Sequence, residues 1–430
     1  MNDAAATPVA SARRVLGFWS LLALGVNGIV GVGIFFAPSE LARLQAGPAS
    51  ALAFVVTALL LLPVAWTYGR LGSAYREDGG PYVWAREAFG TRVAFAVGFV
   101  AYVSALLSTA AVVAGLGQYL APQLGFGSSQ GRQAFQLLAA LLFTGIALLG
   151  LRLSAWVWSL LTLLKLVPLL VLAASAVGDV PRLSALSGSE PLGSGLWRAA
   201  LIAVFPMQGF EIVPVPAGEA SGRERSVWLA TVGSLGFSAV LYVLLQLATV
   251  ARLPDLATSN APIVDAGSML AGGAFAPMFS VGASVSAIGI AFGMFAMTPR
   301  YLAALGTEAL LGPELARERR GVPALALVIT TAAVAGLTSV SSLSSLFVLS
   351  SLAVLLQYAV SALSLFRLAL RREQGLGVID RVLAPLTLLS ILALARSARA
   401  VEVAILAGIL ATGWGLLEVR RRLVKRADAR

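Results

Sequence analysis

Long apolar blocks alternate with short polar segments along the whole chain. Each block runs for about 20 residues, the length at which a helix crosses the ~30 Å hydrocarbon core of a bilayer. The alternating pattern of a barrel strand is absent, so helices must satisfy the backbone hydrogen bonds within lipid. The pattern therefore predicts twelve spanning helices in a single membrane domain. They cover residues 15–44, 49–69, 93–120, 133–151, 154–177, 197–217, 226–251, 274–299, 322–340, 343–366, 379–395 and 400–419.

Composition and charge agree with this pattern. Hydrophobic residues make up 58% of the 430 positions and charged residues 12%, whereas a soluble domain has about 25% charged residues. Most of the 31 Lys and Arg lie in connections on the side of the N-terminus, which predicts that both termini are cytoplasmic. This bias, rather than nucleic-acid binding, accounts for the net charge of +11. Cys and His are absent, so we expect no thiol chemistry, no histidine relay, no metal site and no cofactor.

The first predicted span is rich in glycine. Gly25, Gly28, Gly31 and Gly33 fall close together, although each glycine inside a helix costs about 1 kcal/mol relative to alanine. Close packing against a neighbouring helix through small residues would explain them. A break in the helix would explain them equally well when this segment is taken alone.

The sixth predicted span is also interrupted. It contains Pro206, Gly209, Pro214 and Pro216, and proline removes a backbone donor and clashes with the preceding turn. The first and sixth spans occupy corresponding positions if two five-helix halves repeat, and such a pair indicates a binding site at mid-membrane. Free N–H groups at one half-helix suit a carboxylate, and free C=O groups at the other suit an ammonium. A zwitterionic amino acid carries both charges a short distance apart.

Four short motifs occur in order along the chain. They are Gly31-Val32-Gly33-Ile34-Phe35 in the first span, Gly79-Gly80-Pro81-Tyr82 in the first long inner loop, Gly209-Phe210-Glu211 in the sixth span, and Arg300 at the inner end of the eighth. On these motifs the chain resembles the amino acid–polyamine–organocation (APC) superfamily of transporters over nearly its whole length. The resemblance implies an all-α integral membrane fold, with a five-plus-five inverted repeat whose helices 1 and 6 are broken, followed by two extra helices.

The resemblance divides the single transporter domain into five parts. These are a cytoplasmic tail at 1–14, a first five-helix repeat at 15–177, a second inverted repeat at 197–366, two additional helices at 379–419 and a basic cytoplasmic tail at 420–430.

The resemblance also implies a substrate site at the two breaks. The candidate substrate-binding residues are Ile29, Gly31, Val32, Gly33, Phe205, Gln208 and Gly209. Amides near Val32 and Gly33 would hold the substrate carboxylate. Carbonyls near Ile29, Phe205 and Gln208 would hold its ammonium, and Phe205 is a candidate aromatic lid. Many family members have a hydroxyl residue where this chain has Val32, so the carboxylate would depend on backbone amides alone. This departure keeps amines among the candidate substrates.

Lys165 lies near the middle of the fifth span. About eleven residues, or ~16 Å of helix, separate it from either interface, which is too far for its side chain to reach water. A charge at mid-bilayer costs at least ~2.5–3.5 kcal/mol and usually faces the interior of the bundle. A lysine that only ties the fifth span to neighbouring carbonyls is the structural alternative. In several APC transporters a lysine at this place substitutes for sodium, so the resemblance implies a coupling role for Lys165, as a proton carrier or a fixed sodium mimic, beside the broken first helix.

Glu211 directly follows the break in the sixth span. A carboxylate there stabilises the N-terminus of the outgoing half-helix by about 0.3–1 kcal/mol, which is the structural interpretation. The functional alternative is coupling, with Glu211 as a proton site or as a contact of the substrate ammonium. Buried polar packing and a role in lining the site explain Asn27 and Gln208 equally well.

The sequence thus predicts a secondary active transporter that moves amino acids by alternating access, without sodium and with proton coupling or exchange. The apolar surroundings favour neutral amino acids, and a polyamine or another organic amine is the alternative substrate. A channel and an intramembrane enzyme are disfavoured, because polarity concentrates at two broken helices and no nucleophile–base pair is present. The expected partners are a small-molecule substrate and the lipid bilayer of a bacterial inner membrane. The oligomeric state, a homo-oligomer included, stays open.

Overall fold

The architecture is almost entirely helical. The structure is a computed structural model, which describes residues 16–428 except 76, 78, 151–154, 187–194, 217–224 and 308–311. In this part of the chain, seven helices are long and apolar enough to cross a membrane, and the bent pair Phe18–Ile29 and Gly33–Ala42 makes an eighth. Shorter apolar helices of 10–17 residues accompany them. The predicted all-α membrane protein is confirmed, and the predicted tail at 1–14 lies outside the described residues.

The helices are numbered in chain order. They are α1 (Phe18–Ile29), α2 (Gly33–Ala42), α3 (Leu52–Ala74), α4 (Pro81–Phe89), α5 (Thr91–Gln123), α6 (Ser129–Leu148), α7 (Ala155–Ser175), α8 (Val180–Leu186), α9 (Gly195–Met207), α10 (Arg225–Arg252), α11 (Pro262–Thr307), α12 (Ala324–Val340), α13 (Leu343–Leu370), α14 (Val378–Ala395) and α15 (Ala400–Asp428). A hairpin of β1 (Glu318–Arg319) and β2 (Val322–Pro323) precedes α12. Each of the twelve predicted intervals overlaps at least one of these helices, and the first interval covers both α1 and α2. The number of complete crossings stays a prediction.

The first long inner connection contains a helix of its own, α4. Pro81 occupies its first turn, where the missing N–H costs no hydrogen bond. Gly79 and Gly80 precede it with positive φ angles of 125° and 52°, which glycine tolerates because it has no β carbon. The Gly79 amide donates to Val215 O over 3.1 Å. This motif therefore contacts the segment that follows the break in the sixth span.

The long helix α11 changes direction within its length. A β carbon placed on Gly267 would lie 2.3 Å from the ring of Phe279, whereas twelve residues of straight helix would separate the two by ~18 Å. The chain carries Gly272-Gly273 between them, and glycine tolerates the backbone angles that a reversal requires. The segment after Pro262 therefore packs back against the predicted eighth span.

The last helix continues beyond its predicted end. α15 extends to Asp428, so most of the predicted basic tail at 420–430 is a helical extension of the last span. No glycine or proline interrupts this stretch, and Leu and Arg are good helix formers. Glu418 and Arg422 also form an i,i+4 ion pair at 3.3 Å, which supports the helix on its exposed side.

The helices pack around α5 and α13, most of whose residues are buried. α5 contacts α13 and α11, α3 contacts α10 and α14, and α7 contacts α11. Large apolar side chains remain exposed on the outer faces, among them Leu142, Val240 and Leu389. Such a surface requires a lipid environment, because an apolar belt of this extent is not stable in water. Of the interrupted helices, α2 is almost fully buried and α9 is buried from Ala199 to Met207, whereas α1 is exposed on one side.

Candidate functional site

The first span is broken at the predicted glycines. α1 ends at Ile29, α2 begins at Gly33, and the two axes differ by 49°. Val30 leaves the helical conformation with a ψ of 77°. Among the described residues, the amides of Val32 and Gly33 have no hydrogen-bond acceptor. The N-terminus of α2 therefore presents free donors, which attract negative charge.

The second break follows α9. The helix ends at Met207, and Gly209 adopts a φ of 122° before a short 3-10 turn from Phe210 to Ile212. The Gln208 amide donates to Phe205 O over 3.3 Å, which closes the end of the helix. The positive φ explains why glycine occupies position 209, since a β carbon makes that region unfavourable.

The two breaks touch through their backbones. A β carbon on Gly209 would lie 2.3 Å from Gly28 C and 2.5 Å from Ile29 N. A β carbon on Gly33 would lie 2.9 Å from Pro206 Cα and 3.1 Å from the ring of Phe205. The structure thus brings together the two interrupted segments that the sequence pairs. Close packing and a helix break were alternative explanations for the glycines of the first span, and the structure shows both.

Gly31 differs from the other glycines of this motif. A β carbon added to Gly31 would meet Ile29 O at 3.7 Å, an ordinary contact distance, whereas β carbons on Gly25, Gly28 and Gly33 would clash. Val32, two phenylalanines of α2 and Tyr119 line a small crevice next to the break. The full lining is Val32, Phe35, Phe36, Tyr119, Ala261, Val264 and Ala287. An apolar crevice therefore borders the free amides of α2.

Lys165 lies against the first break. Its Nζ donates to Val30 O over 2.7 Å and to Asn27 O over 3.2 Å, and only 6% of the residue is exposed. These carbonyls lost their helical partners where α1 ends. No described carboxylate forms an ion pair with Lys165. Backbone carbonyl dipoles at the end of α1 therefore stabilise the positive charge of Lys165. This position beside the broken first helix is the one expected from the sequence.

Tyr242, which the sequence did not predict, adds a hydrogen bond to a carbonyl at the end of α1. The Tyr242 hydroxyl donates to Ile29 O over 2.8 Å, and its side chain is fully buried. The Gly31 amide also donates to Ile29 O, over 2.6 Å. A tyrosine in an apolar span has no feature that would identify this contact from sequence.

A polar residue of the second break meets polar residues of α5 and α13. The Gln208 side-chain amide is 3.5 Å from Ser350 Oγ, and Ser350 Oγ is 2.7 Å from Ser108 Oγ. The ring of Phe205 stacks on Phe347 with centroids 4.2 Å apart. Ser108, Ser350 and Phe347 were not predicted, because serine and phenylalanine are common in membrane helices. Gln208 is thus tied to α13 and α5, and Phe205 has a stacking partner on α13.

Glu211 bonds back across the second break. Its Oε2 accepts from the Gly209 amide over 2.7 Å and from the Tyr358 hydroxyl over 3.0 Å. Tyr358 packs edge-on against Tyr68, with centroids 5.3 Å apart. No described cation forms an ion pair with Glu211. The contact with the amide is the one that the structural interpretation requires, and the unpaired carboxylate also leaves the coupling interpretation open.

Together, the fold and the paired breaks define an all-α membrane protein in which two interrupted helical segments contact each other. Comparisons with known proteins agree. The sequence profile of a family described as "Amino acid permease" matches residues 16–410. The chain belongs to this amino acid permease family, which confirms the resemblance to the APC superfamily and makes it a transporter rather than an enzyme.

Curated relatives carry transporter names. An uncharacterized transporter of Mycobacterium bovis is 27% identical over 424 residues, covering 96% of this chain and 93% of the relative. Cationic amino acid transporter 7, chloroplastic, of Arabidopsis thaliana is 27% identical over 273 residues, which cover 58% of this chain and 47% of the relative. A methylthioribose transporter of Bacillus subtilis is 24% identical over 318 residues, 70% of this chain and 69% of the relative. The aligned region thus spans about half the length of the Arabidopsis protein.

Proposed function

We propose that the protein is a sodium-independent secondary active transporter of neutral amino acids, which works by alternating access with proton coupling or exchange. The observation that carries this proposal is the backbone contact between the two helix breaks. It sets the free amides at the N-terminus of α2 near the end of α9. An amino acid bound there would contact both mobile half-helices at once, so its binding energy could favour their joint movement.

The pattern of helix contacts supports the five-plus-five repeat. In that layout α1/α2, α3, α5, α6 and α7 correspond to α9, α10, α11, α12 and α13. α10 contacts α1, and the corresponding pair α3 and α9 is also in contact. α11 contacts α7, as α5 contacts α13, and α12 contacts α5, as α6 contacts α11. Contacts that recur in corresponding pairs are expected if a two-fold axis relates the halves.

The substrate groups have distinct candidate partners. We place the carboxylate at the free amides of Val32 and Gly33, where the N-terminal end of α2 favours negative charge. Ile29 O already accepts two hydrogen bonds, so the carbonyls of Phe205 and Gln208 are the better partners for the ammonium. The apolar crevice beside Val32 favours a neutral side chain.

A cationic amino acid or organic amine is the second candidate substrate. Glu211 is a carboxylate beside the break without a described cationic partner, and a relative from Arabidopsis is named a cationic amino acid transporter. A basic side chain that reached Glu211 would neutralise it and gain a charge-assisted hydrogen bond.

Lys165 supports sodium independence. Its ammonium occupies two carbonyls of the broken helix that would otherwise be oxygen ligands for a cation. Sodium binding at these atoms would bring a second positive charge next to a buried one, which is strongly unfavourable. The positive-charge bias places both termini in the cytoplasm of a bacterial cell in this proposal.

Counterflow in proteoliposomes tests the proposal. Vesicles preloaded with one amino acid should accumulate labelled neutral amino acids saturably, and replacement of sodium by choline should leave the rate unchanged. Competition by a panel of neutral, cationic and acidic amino acids and polyamines ranks the substrates. Selective competition by lysine and arginine would move the assignment to the second candidate. An absence of counterflow with every amine-containing solute would contradict the proposal.

Glu211→Gln separates the two interpretations of this carboxylate. The amide retains an oxygen that accepts from the Gly209 amide, so a purely structural role predicts nearly unchanged transport at every pH. If Glu211 carries the coupled proton, Gln should abolish the pH dependence of uptake while exchange persists. We expect the second outcome, because Glu211 has no described counter-ion. Initial rates from pH 5 to 8 provide the measurement, and wild-type pH dependence in the variant would contradict it.

A further inference from the structure

A β-hairpin between α11 and α12 carries an arginine cluster that the transport site does not use. β1 and β2 pair antiparallel, with Glu318 opposite Pro323 and Arg319 opposite Val322. Arg320 and Gly321 form the turn with φ angles of 55° and 74°. A two-residue type I′ turn requires positive φ angles at both of its central residues, and its twist matches that of the two strands.

The hairpin is fixed to the helices beside it. Arg300 donates from Nη2 to Gly321 O over 3.0 Å, and its Nη1 lies 3.7 Å from Glu318 Oε1. A β carbon on Gly150, just beyond α6, would lie 2.8 Å from Arg320 O. The turn therefore has a defined position at the ends of α6 and α11.

Three guanidinium groups of this segment remain exposed. Arg317, Arg319 and Arg320 are exposed, and none has an ion pair or side-chain hydrogen bond with a described residue. Glu318 lies between them in sequence but is directed to Arg300. Arg320 also adopts a left-handed conformation, which its β carbon disfavours and in which glycine or asparagine is usual. The turn itself does not explain an arginine at this position.

Exposed apolar side chains follow the arginine cluster directly along the chain. α12 starts one residue after the hairpin, and Leu325, Val328 and Ile329 on its first turns are 43%, 52% and 42% exposed. Leu148 and Leu149, at the end of α6, are 38% and 58% exposed. In a bilayer, acyl chains cover such surface, and the lipid phosphates lie at the level of the helix ends. The unpaired arginines and the acyl-chain surface are therefore adjacent.

We propose that Arg319 and Arg320, with Arg317 beside them, form a binding site for the headgroup of an anionic phospholipid whose acyl chains lie along α12 and α6. Guanidinium groups bind phosphate oxygens through paired hydrogen bonds, and their charge complements an anionic headgroup. A zwitterionic lipid lacks the net negative charge that would pair with the arginines. Free phosphate lacks the acyl chains that would cover the apolar surface of α12 and α6. The site is independent of the substrate site and of the proposed transport activity.

Lipid-dependent thermal stability of the purified full-length protein in detergent tests this inference. Phosphatidylglycerol should raise the unfolding temperature by several degrees, whereas phosphatidylcholine or inorganic phosphate at the same concentration should have little effect. The double variant Arg319→Gln/Arg320→Gln should need about 30-fold more phosphatidylglycerol for half of the effect, since both arginines contribute to anionic lipid binding. An unchanged titration, or equal stabilisation by phosphatidylcholine or phosphate, would overturn the proposal.

Two single variants make the test specific. Arg320→Gly removes the guanidinium and relieves the left-handed strain, so the lipid-free protein should become as stable as wild type or more stable while its response to phosphatidylglycerol weakens. Arg132→Gln removes an exposed arginine at the opposite end of α6 and should retain the full response. An equal loss with Arg132→Gln would assign the effect to net charge alone and reject the hairpin as the site.

Discussion

Replacement of Lys165 by alanine should nearly abolish transport while the protein remains folded. The ammonium donates to Val30 O and Asn27 O, and alanine would leave both carbonyls without this donor at the point where α1 ends. Two hydrogen bonds from a charged donor are together worth about 3 kcal/mol. If that energy holds the broken helix in its binding-competent form, its loss lowers the competent population roughly 100-fold. Initial uptake by purified protein in proteoliposomes is the measurement.

A matched variant separates charge from volume in this experiment. Lys165→Met keeps most of the stem and removes the ammonium, so it should lose transport to the same extent as Lys165→Ala. Gel-filtration profile and helical content should match the wild type in both variants. Undiminished uptake by the reconstituted Lys165→Ala protein would show that Lys165 only links α7 to α1. A methionine variant that transports normally beside an inactive alanine variant would assign the residue a packing role.

The helix breaks and the buried lysine could be predicted because each violates a rule of membrane helices. Clustered glycine and proline are costly inside a helix, and a lysine in the hydrocarbon core requires internal partners. Neither Gly31 nor Pro206 identifies the site alone. Their corresponding positions in the two predicted halves do, and the structure brings the two segments into contact.

Other parts of the site follow ordinary rules and so carry no sequence signal. Tyr242, Ser350 and Phe347 are residues that many membrane helices contain, and only tertiary packing directs them to the breaks. The extension of α15 beyond residue 419 was not predicted for a related reason. Apolar periodicity locates helices, but it does not register where a helix continues into a charged segment. From sequence alone, the hairpin arginines are part of the general positive-charge bias of the inner connections. Only their exposure and the geometry of the turn distinguish them from the other arginines.

Gly209→Ala should disrupt both the fold at the site and transport. The new β carbon would lie 2.3 Å from Gly28 C and 2.4 Å from Gly28 O, so one of two backbones must move. Alanine would also have to adopt the φ of 122°, which L-residues rarely do. Overpacking of a tight contact and an incompatible backbone angle should together cost about 3 kcal/mol. We expect a lower unfolding temperature and an uptake rate reduced at least about tenfold.

Gly236→Ala on α10 is the control, because nothing lies within 4 Å of its added β carbon. That variant should match the wild type in uptake and equal or exceed it in stability, since alanine favours a helix over glycine by about 1 kcal/mol. Gly28→Ala tests the same contact from the other side. Its β carbon would meet mainly the Ile212 side chain at 2.5 Å, and Gly209 O only at 3.0 Å. Because a side chain can move where a backbone cannot, Gly28→Ala should impair transport less than Gly209→Ala. Wild-type stability and uptake in Gly209→Ala would mean that the two broken helices are not in backbone contact during transport.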